Sequence, residues 1–200
     1  MGVEEGYIKY NCVWKKEDFN FPENVFKSLN FWREKLYALK LIGVHEDGIG
    51  YGNISIRSYN KSFIITGSET GKKSRLSRED YALVNDFHLN FNELSCSGYT
   101  KASSEALSHA ALYESSPDIR AVIHVHHLPL WNSLYNKVPT TDDSALYGTP
   151  DMAYELMRIC KNTDEKILVM GGHEEGIITF GKSLDEAGEI LLSYYNKNKS

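Results

Sequence analysis

Residues 117–127 read Pro117-Asp118-Ile119-Arg120-Ala121-Val122-Ile123-His124-Val125-His126-His127, a run of small and β-branched side chains that carries imidazoles at 124, 126 and 127. From Ala121 onward the spacing predicts a strand, whose period of two sends His124 and His126 to one face and Ile123 and Val125 to the other. Two imidazoles that point the same way lie at a separation one metal ion can bridge. Neutral imidazole nitrogen is a preferred zinc ligand, and catalytic zinc sites commonly take three protein ligands and leave one position open. The third donor must come from elsewhere. His173 is the best candidate, because its Gly171-Gly172-His173 turn directly follows an apolar strand predicted over Lys166–Met170, and loops at strand ends build sites. A His-x-His pair alone is also satisfied by two half-buried strand residues with hydrogen-bond partners. That plainer reading leaves Glu105 unexplained, a carboxylate at a predicted helix start, preceded by Ser103 and Ser104, whose hydroxyls can help bind an anion at the same helix N-terminus.

The pattern on either side of this strand alternates helix and sheet. Between Glu23 and Leu41 the residues Val25, Phe26, Leu29, Trp32, Leu36, Leu39 and Leu41 recur at three-to-four spacing, which predicts a helix stopped by Gly43. Short strands are predicted over 52–57, 62–66, 81–86 and 91–96, separated by Asn-Lys, Gly-rich and Asn-rich turns. A second helix runs from Ser103, its expected N-cap, to about Glu114, with Glu105 in the first turn. Thr149-Pro150 opens a third helix with Ala153, Leu156 and Ile159 inward. A strand over 177–180 and a last helix from Ser183 follow. Ser183-Leu184-Asp185-Glu186 has capping-box spacing, and Ala187, Ile190, Leu191 and Tyr194 form the apolar side. Helices interspersed with a sheet that begins as hairpins indicate α/β layers around a mixed sheet.

The chain has 200 residues, enough for one domain with a substantial core, and its 42% hydrophobic content lies in the globular range. No repeat or linker divides it, so a single domain over residues 1–200 is expected, with residues 1–22 as an N-terminal extension packed on it. A net charge of −5 offers no broad basic face, which argues against nucleic acid as a partner. No apolar run approaches a membrane span, and the acidic start has no apolar leader core, with Gly6 where a myristoylation signal needs Ser or Thr. The three cysteines, Cys12, Cys96 and Cys160, form no Cys-x-x-Cys pair and read as free thiols, so a reducing, cytoplasmic location is expected.

Several features have plainer readings. Gly67-Ser68-Glu69-Thr70-Gly71-Lys72-Lys73-Ser74 looks like a P-loop, but it has three residues between the glycines, Lys73 in place of Ser/Thr, and no apolar helix after it. Lys72, Lys73, Arg75 and Arg78 read as a solvated loop. His109 and His127 read as packing or supporting groups, and Tyr7, Tyr10 and Trp14 as packing over the core or a subunit contact.

Taken together, Gly52-Asn53-Ile54-Ser55-Ile56-Arg57, Ser103-Ser104-Glu105, Pro117 to His126 and the late His173 resemble the class II aldolase/adducin family in order and spacing, over roughly residues 28–195. The resemblance implies a three-layer α/β/α sandwich with a central mixed, mostly antiparallel sheet. It makes His124, His126 and His173 the ligands of Zn²⁺, with Mn²⁺, Fe²⁺ or Co²⁺ as substitutes, and Glu105 the acid/base carboxylate. Gly52, Asn53, Ser103 and Ser104 fall at positions that hold a substrate phosphate, and Thr66 and Gly67 at the family's phosphate loop, where Gly71 offers a second register. In the 140–148 segment aldolases and epimerases place a second acid, Tyr or Asp, that reaches a neighbouring subunit's site; the preferred register puts Ser144 opposite the epimerase Asp, and Asp142 or, as the expected second acid, Asp143 serves beside it. The implied activity is a zinc-dependent aldolase-type lyase on a small hydroxy-carbonyl substrate, working through an enediolate, in a homotetramer with active sites at subunit interfaces. An epimerase or dehydratase would use the same groups, a metal-dependent hydrolase would hold water at the open position, and an adducin-like interaction domain would catalyse nothing. The chain departs from the family at Ala102, where many members carry Pro, and at Glu174-Glu175, an acidic pair that follows His173 where they carry His-Gly.

Overall fold

A computed structural model of the protein describes residues 8–199. In chain order the elements are β1 (Asn11–Lys15), α1 (Glu23–Ala38), β2 (Gly43–Val44), β3 (Gly50–Tyr51), β4 (Asn53–Arg57), β5 (Phe63–Thr66), β6 (Tyr81–His88), β7 (Glu93–Ser97), α2 (Ala106–Ser115), β8 (Ala121–His126), α3 (Leu128–Leu134), α4 (Pro150–Asn162), β9 (Ile167–Val169), β10 (Gly176–Gly181) and α5 (Leu184–Asn198). Among the described residues, eight strands make one sheet in the order β1-β7-β6-β5-β4-β8-β10-β9, and β2 and β3 form a separate hairpin. All pairs in the large sheet are antiparallel except β1 with β7. The sheet is therefore mixed and mostly antiparallel, as expected.

Alternation along the strands explains the layers. Phe63, Ile65, Val84, Val122 and Ile178 face one side and pack with Leu107, Ala110 and Ala111 of α2 and Leu156 and Ile159 of α4. Their neighbours Ile54, Ile64, Ile123, Val125 and Ile177 face the other and pack with Leu29, Trp32 and Leu36 of α1, Leu130 of α3, and Leu184, Ala187 and Leu191 of α5. The result is helix, sheet, helix. β8 lies inside the sheet, between β4 and β10, and all six of its residues are buried. Among the described residues no helix is long and apolar enough to cross a membrane.

Some boundaries differ from the sequence expectation for identifiable reasons. α1 ends at Ala38, not Leu41, because Lys40 takes a left-handed φ of 57° and the Leu41 N–H reaches back to the Leu36 carbonyl, turning Leu41 into the core. Ser103 does not cap α2. The helix begins at Ala106 with Glu105 at the cap position, and the Ala106 N–H bonds to the Ser103 backbone carbonyl at 2.9 Å. The strand expected over 91–96 is moved to 93–97, since Leu89–Phe91 forms a 3₁₀ turn closed by Asn92 at φ 49°. At α5 only half of the capping box forms: the Ser183 hydroxyl accepts from the Glu186 N–H, but the Glu186 carboxylate accepts from the Lys182 N–H. The fully buried stripe of α5 is Leu184, Ala187, Gly188, Leu191 and Tyr195, while Ile190 and Tyr194 are half-buried. Strand β1, hairpin β2–β3 and helix α3 had no sequence signal. Residues 11–15, expected as part of an extension, extend the sheet itself, while Tyr7 lies outside the described residues.

Candidate active site

Strand pairing delivers two imidazoles to one point. His124 lies opposite Asn53 of β4 and Ile178 of β10, and His126 opposite Gly176 of β10. The turn from β9 into β10 brings in the third: the His173 N–H bonds to the Met170 carbonyl and the His173 carbonyl accepts from Gly176. This turn runs tight against the 141–145 segment, where a Cβ on Gly172 would sit 2.0 Å from the Ala145 carbonyl oxygen. Only glycine allows that approach.

The His124 and His173 Nε2 atoms each stand 3.0 Å from Nε2 of His126, and the three side chains are buried. His124 donates its Nδ1–H to the Ile177 carbonyl at 3.3 Å, which turns its Nε2 lone pair toward His126. Burial pushes His124 down to about 4 and holds His126 and His173 well below the ordinary histidine value, the latter two also disfavoured by neighbouring imidazoles. All three are neutral at pH 7. Nitrogen donors that converge within 4.8 Å, uncharged and one with its tautomer fixed from behind, suit a divalent cation of imidazole preference.

These histidines lie in a cleft of about 450 Å³ whose lining includes Gly52, Asn53, Gly67, Ser103, Ser104 and Glu105. The Glu105 carboxylate is buried and accepts from the Ser108 hydroxyl at 2.6 Å. Gly52 has a φ of 74°, and a Cβ there would meet Ile42 at 2.7 Å. Asn53, which also lines the cleft, is buried, and its Oδ1 has no hydrogen-bond partner among the described residues. The loop after β5 is pinned by the Gly67 N–H to the Asp80 carbonyl, the Thr70 hydroxyl to the Gly67 carbonyl, and the buried Arg33 guanidinium to the Thr70 and Lys73 carbonyls. Gly67 and Gly71 both line the cleft.

Two site candidates lie elsewhere. The Thr66 hydroxyl accepts from the Ile54 N–H at 3.2 Å, so it ties β5 to β4 behind the cleft wall. Asp143 is exposed on the loop between α3 and α4, outside the cleft lining, and accepts from the Tyr135 hydroxyl. Tyr51 and Tyr147, which the sequence reading did not single out for the site, flank the histidines, their rings 5.5 Å from His126 and 4.6 Å from His173. Tyr147 comes from an irregular loop and Tyr51 from a two-residue strand, so neither sat in a periodic segment.

The remaining features have structural partners. His109 hydrogen-bonds through Nδ1 to the Ser55 hydroxyl at 2.7 Å, and Ser55 meets the Tyr113 hydroxyl at 2.7 Å. His127 caps α3, accepting from the Leu130 N–H. Arg75 pairs with Glu34, Arg78 with Glu23 and Lys73 with Asp80, while Lys72 lines the cleft. Tyr10 donates to the Ala102 carbonyl at 2.8 Å, and the Trp14 indole to the Gly98 carbonyl.

Fold and site together define an α/β protein with a three-imidazole donor set and a buried carboxylate at the floor of a polar cleft. The chain belongs to the class II aldolase/adducin family: residues 44–194 match the family described as Class II Aldolase and Adducin N-terminal domain. It is 30% identical over 103 residues to a Mycoplasma pneumoniae protein named "Probable L-ribulose-5-phosphate 4-epimerase UlaF", a match over 50% of this chain that spans only 40% of that relative's length. Its fold is similar to that of L-fuculose-1-phosphate aldolase from Thermus thermophilus, with a TM-score of 0.66 at 20% identity over 89% of this chain and 92% of the other. A sugar-phosphate aldolase from Thermotoga maritima is similar at a TM-score of 0.67 and 16% identity, over 88% and 92% of the two chains.

Proposed function

We propose that the protein is a zinc-dependent aldolase-type lyase that cleaves a hydroxy-carbonyl compound, a sugar or sugar phosphate, by way of an enediolate. The observation that carries this reading is the convergence of three buried, neutral Nε2 nitrogens in the cleft that Glu105 also lines. A scaffold has no physical reason to keep such a set, because uncharged imidazoles packed nitrogen to nitrogen are stabilised only by a proton or a cation between them. His124, His126 and His173 would hold the ion, and a bound divalent cation supplies Lewis-acid polarisation of substrate oxygens. Glu105 takes and returns the proton at the substrate, its carboxylate held in place by the Ser108 hydroxyl. Ser103, Ser104 and Asn53, with the Gly52 and Gly67 backbone, orient the substrate and its phosphate where it has one; Thr66 holds the wall they stand on. The exposed Asp143 serves as second acid in the site of a neighbouring copy, which the proposed homotetramer places within reach.

A second reading, epimerisation on the same groups, is favoured by the ribulose-phosphate epimerase relative. The deciding experiment starts with elemental analysis of untagged protein and of His126→Ala. About one zinc per chain in the wild type, absent from the variant, is the expected result, and product analysis on phosphorylated and unphosphorylated ketoses then separates cleavage from epimerisation. Protein that neither contains nor takes up zinc overturns the proposal and turns the search to binding partners.

A further inference from the structure

Strands β1 and β7 pair in parallel, with Cys12 opposite Leu94 and Trp14 opposite Cys96. Paired residues share a face, so Cys12 and Cys96 are diagonal neighbours on the side that packs on α2 and α4, and their Sγ atoms stand 3.6 Å apart. A disulfide bond of about 2.05 Å needs a closure of roughly 1.5 Å. Any backbone shift this requires falls on β1, an edge strand held by the sheet on one side, whose Cys12 is only half-buried. Nothing in the proposed chemistry of the cleft uses these thiols.

We propose that Cys12 and Cys96 are a reversible dithiol–disulfide pair, closed by a peroxide and opened by a thiol reductant. The Cys96 thiolate is favoured first by the hydrogen bond from the Cys12 thiol, then by the Ala102 N–H and the Lys101 ammonium, all against its burial. The same bond, with burial, keeps the Cys12 thiol protonated. Cys12 is the more exposed of the two sulfurs and Cys96 the one whose thiolate the pair favours, so either can open the reaction. The first thiolate displaces hydroxide from the peroxide oxygen–oxygen bond and becomes a sulfenic acid. The second sulfur then attacks that sulfur, the sulfur–oxygen bond breaks, and water leaves with the second thiol's proton. Two thiols and one peroxide give one disulfide and two waters, the sulfurs losing two electrons. A short path of contacts leads from the pair toward the cleft: Tyr10, two residues before Cys12, donates to the Ala102 and Ser103 carbonyls, and Ser103 lines the cleft with Glu105.

Reduced full-length protein, freed of reductant, is treated with equimolar hydrogen peroxide, its thiols are counted after denaturation, and its peptides are mapped without reduction. The expected result is a fall from three thiols per chain to one, a single cross-link between the peptides of Cys12 and Cys96, and full recovery with dithiothreitol. Half-buried Cys160, pushed up to about 11 by burial, is the internal control and stays reduced. In Cys12→Ser and in Cys96→Ser no second thiol is left to close the bond, so the disulfide is lost from both variants and any sulfenic acid that forms persists for capture by dimedone. In urea, with the two sulfurs 84 residues apart along the chain, the selectivity for this pair disappears. Three persisting thiols, links between chains, or oxidation of Cys160 in preference to the pair overturns the proposal.

Discussion

Glu105 and the three histidines occupy one cleft but have different physical jobs, and single substitutions separate them. Glu105→Gln keeps the volume and the Ser108 hydrogen bond but removes the proton acceptor. Turnover of a confirmed substrate is expected to fall about 10²–10⁴-fold while metal content stays at the wild-type level, measured by steady-state kinetics beside elemental analysis. Unchanged turnover would remove Glu105 from the proton chemistry. The histidines were legible in the sequence because a strand's period of two is strict, and His173 because it ends a short apolar strand in a glycine turn. Tyr51 and Tyr147 were not, since their approach to His126 and His173 depends on how a two-residue hairpin strand and a long loop fold over the sheet. Asp143 was read by resemblance alone. It lies outside its own chain's cleft, and the proposed role as second acid therefore rests on a second copy.

Elements are held by close contacts that composition hides. Gly188 of α5 faces Trp32 of α1, where an added Cβ would lie 2.1 Å from the indole ring, and the Trp32 indole N–H donates to Asp185 at 2.7 Å. Gly188→Ala is expected to push α1 and α5 apart at a cost of about 1–3 kcal/mol, a fall in Tm of roughly 3–10 °C by calorimetry. A wild-type Tm would show that the helices move apart without strain. Helices α1, α4 and α5 were readable because each has a stripe at three-to-four spacing. Helix α2 begins at Ala106 because a backbone carbonyl, not the Ser103 side chain, receives its first N–H. Edge strand β1 pairs on one side only, and its exposed Val13 between Cys12 and Trp14 removes the apolar–polar alternation that would mark a strand.

At the scale of the whole molecule, four buried imidazoles set the pH response of the metal-free protein. His109, His124, His126 and His173 are all lowered by burial, His124 to about 4. The unfolded chain takes up these protons near 6.5 while the folded chain resists them, so the unfolded state binds more protons as pH falls below that value. Stability is therefore complete above about pH 6.5 and is lost progressively as pH falls toward 4. A Tm series in chelator from pH 8 to pH 4 checks this, and a flat profile would mean that the imidazoles take up protons in place. Light scattering at micromolar protein is expected to give the mass of four chains; a monomer would leave Asp143 without a site to serve.

The sequence by itself determined the class of fold and the strand that carries His124 and His126, because period and turn chemistry are local properties that neighbours along the chain impose; it offered His173 as a candidate third imidazole, and the role of Glu105 came from the family resemblance. Only the tertiary structure decided which donors meet, that Thr66 supports the wall instead of lining it, that two tyrosines flank the histidines, and that Cys12 reaches Cys96. Those facts depend on strand order and register, which are fixed by burying both faces of an eight-stranded sheet at once.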